Sequence, residues 1–263
     1  MRERTLQLLS SPPSQSGVER TRWRLVDLCG RMIGVGAQVF SRSGVRQVLE
    51  RLDIHYRRGW QYLVSPDPLA QDKLRLIEAI QQRQQNNPAT VVILWLDELT
   101  MYRLPSPAKV WGEAQGRGPK MKMVSGSNTD GRIVGALNPI TGQLHYLLRS
   151  QAGVHELQLF YQAIRQAYPD AQELYVIQDC WPVHFLPDVC HTATTLNITL
   201  VPLPTYSSWR NPIEKVWRFL KQEVLHMHPW ADDWPRLKSQ VAAFLDRFAC
   251  PNSTLLRYCG LPT

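Results

Sequence analysis

The chain has 263 residues, 44% hydrophobic and 20% charged, with a net charge of +8. That balance supplies a core and excludes a disordered tail; no apolar run approaches the ~20 residues of a membrane span, and the charged Met1–Ser10 is no signal peptide, so a cytoplasmic protein is expected. Five scattered cysteines (Cys29, Cys180, Cys190, Cys250, Cys259), never spaced as CxxC, exclude a disulfide framework and a zinc knuckle.

Residues 1–63 hold eleven arginines, no lysine and five acids, a surplus of six positive charges in about a quarter of the chain. The planar guanidinium suits phosphate, so a polyanionic partner is expected there. Residues 1–19, with the Pro/Gly-rich Ser10–Gly17, read as an arm or linker. Leu25, Leu28, Cys29 and Met32 then recur at helical spacing, stopped near Gly34 and Gly36. Ser41 caps a second helix whose apolar stripe is Val45, Val48, Leu49 and Leu52. Its other face carries Arg42, Ser43, Arg46 and Gln47, and a basic, aromatic segment with Arg57 and Arg58 follows. Over residues 20–64 this reads as a helix-turn-helix with a wing, whose second helix would enter the DNA major groove. A plain helical hairpin with a solvated arginine face is the alternative.

Residues 65–88 read as a connecting helix opened by Asp67 and Pro68. From residue 89 the pattern changes. Val91–Leu96 is a continuous apolar run, the mark of a strand buried on both faces. Further strands are expected at Lys120–Ser125, Ile133–Asn138, Leu144–Leu148, Leu174–Gln178 and Ile198–Val201. Helices are expected at Val154–Ala167, Pro187–Leu196, Pro212–His226 and Trp234–Phe248. The order implies an α/β domain over 89–263, a mixed sheet flanked by helices.

Two of these strands end in a carboxylate, Asp97 and Asp179, and Glu214 opens a helix. Strand ends and helix starts beside a sheet let side chains converge. Three convergent carboxylates repel unless a divalent cation joins them, and hard oxygen ligands select magnesium or manganese. Each acid alone is ordinary: an Asp after a strand often shapes a turn, and a Glu in a first helical turn favours the dipole.

Asp97-Glu98 with Trp111 and Gly116, then Asp179 with His184, then Leu203–Trp217 containing Arg210, Asn211 and Glu214, together resemble the three catalytic blocks of mariner-type transposases of bacterial insertion sequences. The 34 residues between Asp179 and Glu214 match the spacing of that group. The resemblance implies an RNase H-like five-stranded domain with a DDE triad of Asp97, Asp179 and Glu214, preceded by a winged helix-turn-helix. It implies two Mg2+ ions with Mn2+ as substitute, His184 and Asn211 as supporting residues, and DNA contacts from Arg42, Ser43, Arg46, Gln47, Arg57, Arg58 and Arg210. Double-stranded DNA, as transposon ends and target, would be the partner; a dimer would pair two ends and insert at TA, on the nucleoid. Two departures stand out. Cys180 occupies the place where the family usually has Asn, and the chain begins near the linker between the family's two helix-turn-helix units.

Other features invite weaker readings. His226-Met-His228 lacks zinc spacing and reads as a structural helix end. Gly112–Gly118 lacks the Lys-Ser/Thr of a phosphate loop and reads as a DNA-facing loop. Glu98 adjoins Asp97 but should point to the opposite face of its strand. The rival functions are a catalytically inactive DNA-binding descendant and an RNase H-type nuclease without strand transfer.

Overall fold

A computed structural model describes residues 1–38, 41–57, 65–111 and 118–262. The chain divides into two units, Met1–Tyr62 and Leu63–Thr263.

Among its described residues the first unit contains three α-helices, α1 (Arg2–Ser10), α2 (Leu25–Leu28) and α3 (Arg42–Arg51). Leu28, Met32, Val35, Ala37 and Val45 form its core. The stretch expected to be an arm holds α1 instead, because Thr5 is buried and Leu8 and Leu9 pack on that core. The Arg2 side chain also donates to the carbonyl of Leu52, tying the chain start to the end of α3. The helix expected across Leu25–Met32 is split. Gly30 takes φ +78°, and a 3-10 turn over Arg31–Val35 resumes behind it. Ser41 caps α3 as expected, its hydroxyl accepting from the Gly44 amide at 3.1 Å. Arg42, Ser43, Arg46, Gln47 and Arg57 all face solvent, and Arg46 pairs with Glu50 at 3.0 Å. Arg58 and most of the expected wing lie outside the described residues.

The second unit opens with α4 (Ala70–Asn86) and builds one sheet from β1 (Val91–Tyr102), β2 (Asp130–Leu137), β3 (Leu144–Arg149), β4 (Glu173–Gln178) and β5 (Ile198–Pro202). The strand order is β3-β2-β1-β4-β5; the β1–β2 and β2–β3 pairs are antiparallel and the β1–β4 and β4–β5 pairs parallel. Alternation divides the sheet cleanly. Val92, Leu94, Leu96, Val134, Ala136 and Val176 face α5 (Val154–Ala167) and α6 (Pro187–Thr195). Ile93, Trp95, Ile177 and Val201 face Ile77 and Ile80 of α4. On that same side Leu99, Met101, Ile133 and Leu137 lie under α7 (Ile213–Leu220), α8 (Trp234–Asp246) and α9 (Ser253–Cys259).

Three expectations change. Lys120–Ser125 is irregular rather than a strand. The first strand does not stop at Asp97 but continues to Tyr102, paired with β2, because Leu99 and Met101 keep one face buried while Glu98, Thr100 and Tyr102 take the other. A last helix, α9, has no counterpart among the expected elements; Asn252 caps it and Leu255, Leu256 and Cys259 bury its inner side. No helix among the described residues is long and apolar enough to cross a membrane.

Candidate active site

The parallel register between β1 and β4 pairs Val91 with Glu173 and Trp95 with Ile177, an offset of 82 residues. Continued two residues further, it brings Asp97 level with Asp179, on the face that carries α7. The β1–β4 pairing itself runs from Val91–Glu173 to Trp95–Ile177, just short of the two acids. Glu214 enters from the first turn of α7. Asn211 fixes that entry: its buried side chain donates to the carbonyl of Leu96 at 2.9 Å and accepts from the Ile213 amide at 3.2 Å. One residue thus ties the start of α7 to the strand position beside Asp97.

Each acid is held by a specific donor. The indole N–H of Trp217, one turn beyond Glu214, donates to Asp97 Oδ2 at 2.9 Å. Trp217 can lie there because Asp97 pairs across the sheet with Gly135, which has no side chain; a Cβ on Gly135 would come within 2.5 Å of the indole. Asp179 accepts through Oδ1 from the Trp181 amide at 2.9 Å and lies 3.2 Å from His184 Nδ1. His184, wholly buried, also reaches Glu98 Oε1 with Nε2 at 2.9 Å. Glu98 does point away from Asp97, as alternation requires, yet His184 on the turn after β4 bridges it to Asp179.

Charge follows this geometry. Burial, then the charges of Glu214 and Glu98, push Asp97 up to about 7, against the hydrogen bonds from the Glu98 backbone and Trp217. Glu214 is raised by burial and by Asp179, although Lys221 and Arg218 pull the other way. Asp179 is lowered, chiefly by the hydrogen bond from His184. For His184, burial acts downward, but Asp179 and Glu98 outweigh it and raise the imidazole to about 10. Glu98, Asp179 and His184 also offer ligand atoms within 4.8 Å of one another.

Cys180 has turned away from this cluster. Its thiol donates to the carbonyl of Leu203 at 3.1 Å and lies 3.7 Å from Lys73 Nζ, which is paired with Asp67 at 2.7 Å. Arg210 is exposed and stacks over the Trp209 ring at 4.8 Å. His226 and His228 take separate partners, the hydroxyl of Ser106 and the amide of Trp230, and share no ligand position. Residues 112–117 of the glycine-rich loop lie outside the described residues. Sequence reasoning assigned no part to Trp217, Gly135 or Glu98. Trp217 could have been found from its place three residues after Glu214, on the same side of α7; the other two depend on partners distant in sequence.

A family model described as DDE superfamily endonuclease matches residues 92–235, more than half the chain and all of the stretch from Asp97 to Glu214. The IS630 insertion-element 39 kDa protein of Shigella sonnei is 22% identical over 235 residues, covering 88% of this chain and 66% of the relative. That is just under two thirds of the relative's length. Among solved structures, the Mos1 mariner paired-end complex with manganese has a TM-score of 0.62 at 14% identity, over 92% of this chain and 76% of that one. The Mos1 strand transfer complex has a TM-score of 0.60 at 15% identity with the same coverage. Those likenesses establish the RNase H-like fold implied by the sequence. With the family match spanning all three acids, the chain belongs to the DDE superfamily endonucleases.

Proposed function

We propose that the chain is a DNA transposase that nicks strands at element ends by hydrolysis and then directs the freed 3′-hydroxyl onto target DNA. What supports this reading is the register that brings Asp97 level with Asp179 on one sheet face, with Glu214 in the first turn of the helix on that face and its charge opposing that of Asp97. The similar Mos1 structures are a transpososome, a paired-end complex and a strand transfer complex, which supports transposon ends and target DNA as substrates.

The acids fit a divalent cation. Asp97 ionises only near pH 7, first because it is buried and then because the charges of Glu214 and Glu98 oppose it, and an added cation would offset both. Asp97, Asp179 and Glu214 would hold two magnesium ions, with manganese as substitute. Bound there, such ions activate a water or 3′-hydroxyl and stabilise the leaving oxygen of a phosphodiester. The chain's own part is positional. Trp217 fixes Asp97, His184 and the Trp181 amide fix Asp179, and Asn211 fixes the helix bearing Glu214. Exposed Arg210 on Trp209 would meet phosphate beside them. Residues 20–64 would read DNA through Arg42, Ser43, Arg46, Gln47, Arg57 and Arg58, residues 65–88 would connect, and residues 89–263 would cut. Two copies would pair the two ends.

Asp179→Asn tests the mechanism, since it removes a ligand charge while keeping shape. Nicking of an end-containing duplex in magnesium should fall at least about a thousandfold, while binding in calcium stays near parental. Cys180→Asn, which restores the residue the family usually has there, should raise nicking. Undiminished cleavage by the Asp179→Asn protein would refute the mechanism. A parent that cleaves neither as it stands nor with Asn at 180 would be a DNA-binding descendant.

The arginine head has its own test. Neutralising Arg42 and Arg46 should flatten the slope of log affinity against log salt by about 0.9 for each phosphate that is no longer neutralised. An unchanged slope would make that face of α3 merely solvated.

A further inference from the structure

We infer that Glu98 and His184 are positioning residues that act as one unit, orienting Asp179 so that its outer oxygen is presented to the cation. The inference rests on the reading of Asp179 as a metal ligand.

His184 is wholly buried and makes two side-chain contacts, both to groups that only accept. Nε2 meets Glu98 Oε1 at 2.9 Å, and Nδ1 meets Asp179 at 3.2 Å, through Oδ1 and the backbone carbonyl alike. Each ring nitrogen therefore donates. The ring cannot rotate without breaking one of these contacts, and Trp181 stands edge-on to it at 5.2 Å. Asp179 Oδ1 thus receives two donors, the Trp181 amide and His184. Among the described residues Oδ2 receives none, so one carboxylate oxygen is clamped and the other remains for a ligand.

Glu98 is what holds the ring in that pose. It sits on the opposite face of β1 from Asp97, with its Oε1 on His184. Besides the charge it sets against Asp97, it acts on the site through His184, as the outer carboxylate of a carboxylate–histidine pair fixes the group inside it. Substitution of such outer partners weakens metal binding by about 10–100-fold.

The test measures manganese affinity of the full chain by electron paramagnetic resonance, without DNA, alongside thermal melting in chelator. Glu98→Ala and His184→Phe should each weaken Mn2+ binding about tenfold or more. The double variant should be no weaker than His184→Phe alone. Glu98→Gln, which keeps an acceptor for Nε2, should stay within about threefold of the parent. A merely structural role would lower the melting temperature and leave Mn2+ affinity in place; parental affinity in Glu98→Ala, or effects that multiply in the double variant, would overturn the inference. Should Glu98→Ala not fold, Glu98→Leu/His184→Phe removes both polar groups of the pair together and decides alone. About tenfold weaker Mn2+ binding by that protein supports the unit, and parental binding overturns it. Asp179→Asn separates the two levels. If it binds Mn2+ like the parent, the ligand reading itself fails; if it loses Mn2+ while Glu98→Ala does not, only the positioning role fails.

Discussion

Replacing Asp97 with Asn should reduce nicking at least about a thousandfold and, in metal-free protein at pH 8, raise thermal stability. The first effect follows from the proposed role of Asp97 as a metal ligand, where several kcal/mol of stabilisation is at stake. The second follows from the direction of the pKa shift. Asp97 titrates at about 7 in the folded chain, raised from 3.8 by burial and by the charges of Glu214 and Glu98. Between those values the folded state holds a proton that the unfolded state has released. Stability of the metal-free protein therefore falls as pH rises from about 4 to about 7, and the whole cost is present above that. Asn carries no such cost and still offers Trp217 an acceptor. Its advantage at pH 8 is at most on the order of 4 kcal/mol and should vanish near pH 4. Magnesium should reverse the order, because only the parent gains full binding energy from it. Melting curves from pH 4 to 8, in chelator and in magnesium, measure this directly. An Asn variant less stable than the parent at pH 8 in chelator would remove Asp97 from the crowded cluster.

Gly135→Ala should destabilise the catalytic unit and weaken cleavage together. The added methyl would lie 2.5 and 2.9 Å from two carbons of the Trp217 benzo ring and 3.2 Å from Ile213. The indole is buried among Leu99, Met101, Ile133 and Leu220 and has little room to retreat. Overpacking of this kind costs about 1–3 kcal/mol, several degrees in Tm. Any retreat also draws the indole N–H from Asp97, so nicking should fall about tenfold beyond what stability explains. Trp217→Phe separates the two effects. It vacates the space facing Gly135 and removes the donor, so nicking falls even where folding is retained. Combining it with Gly135→Ala should recover most of the alanine's stability loss and none of the nicking. A Gly135→Ala protein with parental Tm would contradict the packing described here.

The fold's regular parts were legible because their signals are local. The stripe Leu157, Phe160, Tyr161, Ile164 marks α5, whose bounds Val154–Ala167 coincide with the expected ones. The Ser41 cap marks the start of α3. The unbroken apolar run from Val91 marks a strand covered on both faces, which α4 and α7 cover on one side and α5 and α6 on the other. The strand's far end was misjudged because Asp97 looks like an exit from a sheet. What continues it is pairing with β2, from Glu98–Val134 to Tyr102–Asp130, between residues distant in sequence.

By itself, then, the sequence determined which acids stand out: Asp97 at the end of an apolar run, Asp179 just after a strand and Glu214 at a helix start, with Asn211 and His184 nearby. Periodicity and capping act over a few residues, so a single segment is enough to express them. Tertiary structure alone decided how those acids are held. The Trp217–Asp97 contact spans 120 residues and the His184–Glu98 contact spans 86. Neither partner carries a local mark of the other. Gly135 matters only because β2 lies beside β1 in one register, and Glu98 only because the turn after β4 brings His184 around the strand end. Such pairings arise from sheet register and helix docking, which close long loops in the chain and are specified by packing of the whole core rather than by any segment within it.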